Sequence, residues 1–130
     1  MPNRAFDWLK QAIKDLNHAK LSMESHDHEW ACFAAHQAGE KAVKALHLYL
    51  GQEAWGHVIS RLLRELPESV GISQDLIEKA KVLDNFYIPA RYPDSHPDGA
   101  PFEHYGPLQS KEAVKYACEI VEFVRSKMAG

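Results

Sequence analysis

Cysteine is scarce in this chain, and the two that occur, Cys32 and Cys118, both fall inside helical patterns. One disulfide is possible on count alone, but buried free thiols in a reducing compartment are the simpler expectation. No apolar run approaches the ~18 residues of a membrane span. The opening MPNRAFDWLK lacks the apolar core of a signal peptide, so the expected location is cytoplasmic, with no membrane association. Positive charge is not in surplus: 15 Lys and Arg face 18 Asp and Glu, for a net charge of −3 with histidines neutral. Any binding to nucleic acid must therefore use a local patch. No strand alternation, internal repeat or low-complexity segment occurs. No Cys/His set has the regular spacing of a zinc site, so no metal and no cofactor are expected.

The chain has 130 residues, which predicts one domain, 1–130, with one hydrophobic core. Eight histidines make its charge sensitive to pH near 6. Apolar spacing predicts an all-α bundle of four main helices plus a short extra one. The first helix spans about 4–25, with Phe6, Leu9, Ile13, Leu16 and Met23 as its stripe and Asn3 as N-cap. A tight turn at 26–28 follows, with Asp27 placed to cap the next helix. The second helix, about 29–50, is apolar on more than one side (Trp30, Phe33, Ala34, Ala38, Val43, Leu46), as befits a central helix. A third, about 56–66, presents Val58, Ile59, Leu62, Leu63 and Leu66. Ser73 caps a fourth, through Leu76, Ile77, Ala80 and Leu83. Ser110 is the expected cap of the last, which runs through Val114, Ala117, Ile120, Val121 and Val124 to about 128.

Between the fourth and last helices lies YIPARYPDSHPDGAPFEHYG, residues 87–106. Pro89, Pro93, Pro97 and Pro101 recur every four residues and exclude a continuous helix. A structureless stretch of about 20 residues is rare in a compact domain unless it has a task. It also gathers Arg91, Asp94, His96, Asp98, Glu103 and His104 among Tyr87, Tyr92 and Tyr105. Phe102 and Tyr105 are expected to fold the loop back onto the bundle.

Three stretches, in order, resemble the HEPN domain family, in the branch that carries an RYPD sequence. They are AAHQAGEKAVKAL (34–46), WGHVISRLL (55–63) and YIPARYPD (87–94), and the resemblance covers essentially the whole chain. It implies a bundle of four main helices with a shorter additional one, usually a homodimer, that binds nucleotides or RNA. It also implies a separately encoded minimal nucleotidyltransferase as partner, some such pairs acting as toxin and antitoxin. Other members are metal-independent ribonucleases that use Arg, four to six residues, then His. Arg91 and His96 fit that spacing. Here, however, Tyr92 follows the arginine, where those enzymes usually carry a small polar residue. Position 98 is Asp, where some toxins carry a tyrosine that their partner modifies.

The residues themselves leave alternatives open. His96 has the chemistry to move a proton at a ribose hydroxyl, and Arg91 to clamp a phosphate with two hydrogen bonds. Equally, Arg91 fits a structural tie to Asp94 or Glu40. Glu40 and Lys44 read most simply as a solvated i, i+4 pair, yet with Gln37 they share one face and are placed to line a cleft. His57 is positioned to offer a hydrogen bond to a phosphate, or simply to cap or pack. Tyr92 or Tyr105 is the alternative base-stacking platform. Trp55 reads either as a buried anchor or as a dimer contact, with packing the favoured reading. The candidate site is thus Arg91 and His96 for catalysis, with Arg91, Tyr92, Asp94, Glu40, Lys44 and His57 for ligand binding. A purely structural dimerisation domain is the remaining alternative.

Overall fold

The computed structural model describes residues 3–129. Six helices follow one another: α1 (Ala5–Glu24), α2 (His28–Tyr49), α3 (Ile59–Arg64), α4 (Gln74–Asp84), α5 (Pro101–His104) and α6 (Pro107–Met128). Two short 3-10 turns, Glu68–Val70 and Pro93–Ser95, complete the set, and the described residues contain no strand. No described helix is long and apolar enough to cross a membrane.

The central helix is α2. It packs along α1 as an antiparallel pair, takes α6 against a second side, and touches α3 and α4 on a third. Its sequence permits this because alanines dominate its buried positions: Ala31, Ala34, Ala35, Ala38, Ala42 and Ala45. At Gly39 a Cβ would stand 3.0 Å from Ile59 Cδ1 and 3.4 Å from Leu83 Cδ1. The missing side chain is what lets α3 and α4 close onto α2. Cys32 is buried there and Cys118 is half-buried; both are free thiols. Burial pushes the Cys32 thiol up to about 12, with Glu29 adding to the effect.

The helix ends differ from expectation in instructive ways. Ser73 caps α4 as expected, accepting the Leu76 N–H at 3.1 Å. Asp27 occupies the N-cap position of α2 but makes no side-chain cap. Asn3 sits one residue before the cap of α1, accepts the Ala5 N–H and donates to the Leu48 carbonyl at 2.7 Å. The last helix begins at Pro107, not at Ser110. Proline suits a first helical position because its missing N–H would be unpaired there anyway. Ser110 is instead buried within α6, with its hydroxyl 2.7 Å from Nδ1 of His28. His28 is therefore an interhelical contact and not a merely exposed turn residue.

The proline-rich loop is ordered by the same logic. Pro93 opens the second 3-10 turn and Pro101 opens the single turn of α5. Tyr105 folds back, edge-on to Phe86 at 5.9 Å. Phe102 does not: it is 66% exposed, contrary to expectation. Trp55 is likewise 80% exposed, which removes the buried-anchor reading.

Candidate functional site

Three elements meet at the ring of Tyr87, just past the end of α4. The His57 imidazole stacks on it with centroids 4.3 Å apart and planes 17° from parallel. The Arg91 guanidinium lies over it at 4.7 Å, and over Phe33 of α2 at 4.3 Å. Tyr92 is a third ring beside Arg91, at 5.2 Å, and is itself about half exposed. Such cation–aromatic contacts hold a guanidinium without neutralising it.

Arg91 does not tie the loop to Asp94 or Glu40. Its Nε donates to the Tyr87 carbonyl at 2.7 Å. Among the described residues neither terminal nitrogen has a hydrogen bond or an acidic partner. The outcome follows from what surrounds it: Phe33, Tyr87 and Tyr92 offer faces, not carboxylates. A planar, always-charged group held this way leaves its two-pronged donor edge unpaired among the described residues.

The Glu40–Lys44 pair exists, at 3.1 Å, but it is not a solvated surface pair. The Glu40 side chain is only 7% exposed and that of Lys44 only 13%. The second carboxylate oxygen of Glu40 accepts from Nδ1 of His57 at 2.8 Å. Thus one buried carboxylate joins a lysine to a half-exposed imidazole.

His57 lies two residues before α3, which starts only at Ile59. Its backbone is pinned from two sides. Nε2 of His36, a buried residue of α2, donates to the His57 carbonyl at 2.8 Å. Asp84, from the last residue of α4, caps α3 across space, accepting from Ile59 N (2.6 Å), Ser60 N (3.2 Å) and the Ser60 hydroxyl (2.7 Å). Burial holds the His36 imidazole below its ordinary value, partly opposed by its bond to the His57 carbonyl.

The structure therefore brings Arg91, Tyr92 and His57 together beside Tyr87, with Glu40 linked through His57 and Lys44 through Glu40, but not Asp94 or His96. Asp94 is exposed on its 3-10 turn. His96 turns to its own loop: Nε2 donates to the Pro89 carbonyl at 2.7 Å, and the ring stacks on His104 at 4.2 Å. No hydrogen bond or ring contact joins it to Arg91 among the described residues. His104 in turn bonds the Asp98 carbonyl at 2.6 Å. No group of three or more His, Cys, Asp or Glu converges as metal ligands among the described residues.

Sequence reasoning missed Phe33 and Tyr87 as the clamp on Arg91, and His36 and Asp84 as supports of His57. Tyr87 carried a signal, standing four residues before Arg91 at the head of the marker sequence. Asp84 carried none, because it caps a helix that begins 25 residues earlier in the chain.

A helical bundle around a central small-residue helix, with an ordered RYPD loop beside a buried glutamate, defines a recognisable class. The chain belongs to the HEPN domain family, whose model matches residues 5–127. Solved relatives agree. TT1696 from Thermus thermophilus is 54% identical, with a TM-score of 0.94 over 96% of this chain and 98% of that one. ST0689, described as an archaeal HEPN homologue, is 38% identical, with a TM-score of 0.82 over 97% and 98%. A HEPN domain protein of Thermotoga maritima is 33% identical, with a TM-score of 0.76 over 95% and 98%. A protein of Methanocaldococcus jannaschii named "Putative toxin MJ1304" is 26% identical over 127 residues, 91% of this chain and 84% of its own length.

Proposed function

We propose that this chain acts as one HEPN domain that binds a nucleotide or RNA, works as a homodimer, and pairs with a separately encoded minimal nucleotidyltransferase in a toxin–antitoxin-like module. The observation that carries the binding reading is Arg91. It is a guanidinium clamped by aromatic faces, with no carboxylate partner among the described residues, beside an exposed tyrosine and a half-exposed histidine. Phosphate suits the guanidinium and a base suits the Tyr92 face. The name of the M. jannaschii relative supports a toxin-like role. Exposed Trp55, Trp30 and Phe6 supply apolar surface for a second copy or a partner.

Calorimetric titration with ATP and with a single-stranded oligoribonucleotide tests the reading. Wild type is expected to bind at least one of them, and Arg91→Ala to lose that binding with its fold intact. Binding of neither by folded wild type removes the reading and leaves a structural dimerisation domain.

A metal-independent endoribonuclease using Arg91 and His96 draws less support, since Nε2 of His96 already serves the Pro89 carbonyl. Cleavage of labelled RNA in EDTA, lost in both Arg91→Ala and His96→Ala, would restore it.

A further inference from the structure

We propose that His57 is the proton-carrying phosphate ligand of this site: a nucleotide or RNA phosphate bound at its Nε2 draws a proton from solvent onto that nitrogen, and Glu40 holds the resulting imidazolium. This inference rests on the nucleotide- or RNA-binding reading given above.

Nδ1 of His57 is committed, donating to Glu40 at 2.8 Å. With Nδ1 carrying the hydrogen, Nε2 of the neutral ring is a bare lone pair. Nε2 has no partner among the described residues, and the side chain is 52% exposed. A phosphate oxygen is an acceptor only, so it repels a lone pair and requires an N–H. The encounter is resolved by one proton moving from solvent to Nε2, with no other bond made or broken.

The surroundings make that uptake depend on the ligand. The titratable and charged groups around His57 come from two sides. From α2 there are Glu40, Lys44 and His36, the last through the His57 carbonyl. From the end of α4 and the loop there are Asp84, Tyr87 and Arg91. A charge added to the ring meets Glu40 directly and gains the face of Tyr87. It also meets two cations: Lys44 shares the same carboxylate, and Arg91 shares the same tyrosine ring. An arriving phosphate adds the missing anion and tips this balance. The carboxylate and lysine are buried, so their mutual attraction is screened less than that of a surface pair. Glu40 is thus a positioning residue, fixing the tautomer and stabilising the charged form.

The test is calorimetry in buffers of differing ionisation enthalpy, at about pH 7.5. The probes are ATP and an oligouridylate without terminal phosphates, whose diesters do not titrate in this range. Wild type should take up a fraction of a proton per ligand bound, and affinity should rise as pH falls. His57→Gln, which keeps an N–H for Glu40, should bind without that uptake and without the pH dependence. Because ATP itself titrates, the difference between wild type and His57→Gln is the readout for it. A second measurement needs no variant: ring ¹⁵N shifts of His57 in wild type should move from the neutral to the imidazolium pattern on adding ligand. Binding with no proton uptake, uptake unchanged in His57→Gln, or a ring that stays neutral in the complex overturns the inference and leaves the binding reading standing. Failure to bind either probe overturns both.

Discussion

Glu40 is the residue on which most of the local charge depends. Its carboxylate satisfies Lys44 and orients His57 from a position almost closed to water. Removing it in Glu40→Ala leaves a lysine ammonium with little solvent and no counter-charge. A loss of about 3 kcal/mol in chemical denaturation is expected, as for other broken buried pairs. Glu40→Gln keeps an acceptor for His57 and should cost less. His36 gives a pH-dependent counterpart. Burial holds it below its ordinary value, so the folded chain binds fewer protons there than the unfolded one. Its contribution is complete above about pH 6.5 and is lost as pH falls below that, at up to about 1.4 kcal/mol per pH unit. Urea midpoints measured from neutral to mildly acid pH should drop in wild type, and less so in His36→Asn.

At the scale of elements, the short helix α3 depends on a cap from far away in sequence. Its six residues are too few to hold a helix by propensity alone. The carboxylate of Asp84 supplies the acceptors at its start. Asp84→Ala should cost about 1–2 kcal/mol, the usual range for a lost cap. Hydrogen exchange at the Ile59 and Ser60 amides should accelerate more than at the buried amides of α2. Periodicity made the helices themselves legible, because Leu62, Leu63, Ile120 and Val124 recur at helical spacing and are buried. It was silent about long-range caps, it misplaced Phe102, and it favoured burial for Trp55, which is exposed, since a large apolar side chain carries no label saying which way a loop will turn. The prolines misled in one respect only. They exclude a continuous helix, yet Pro93, Pro101 and Pro107 each begin a helical turn. Within the site, Glu40, Lys44, His57, Arg91 and Tyr92 could be named from sequence. The aromatic clamp that leaves Arg91 without a counter-ion among the described residues is a property of the folded contacts alone.

For the whole molecule, the proposed homodimer has exposed aromatic and aliphatic side chains to draw on. Trp55, Phe6, Trp30 and Leu108 are each at least half exposed. Trp8 and Trp55 also border a cavity of about 240 Å³ with Lys44, Leu48, Glu53 and Ala54. Light scattering after gel filtration should give twice the 14.7 kDa chain mass, and a monomer at all concentrations would remove the homodimer from the proposal. The central claim is narrower, that Arg91 is kept unneutralised for a phosphate. Fluorescence anisotropy of a labelled oligouridylate, titrated with wild type, Arg91→Ala and Arg91→Lys, tests it most directly. Wild type should bind. Both variants should bind at least about tenfold more weakly, a difference of roughly 1.4 kcal/mol, because lysine restores the charge but not the planar, stacked donor edge. Equal affinity in all three proteins, or no binding by folded wild type, would contradict the account.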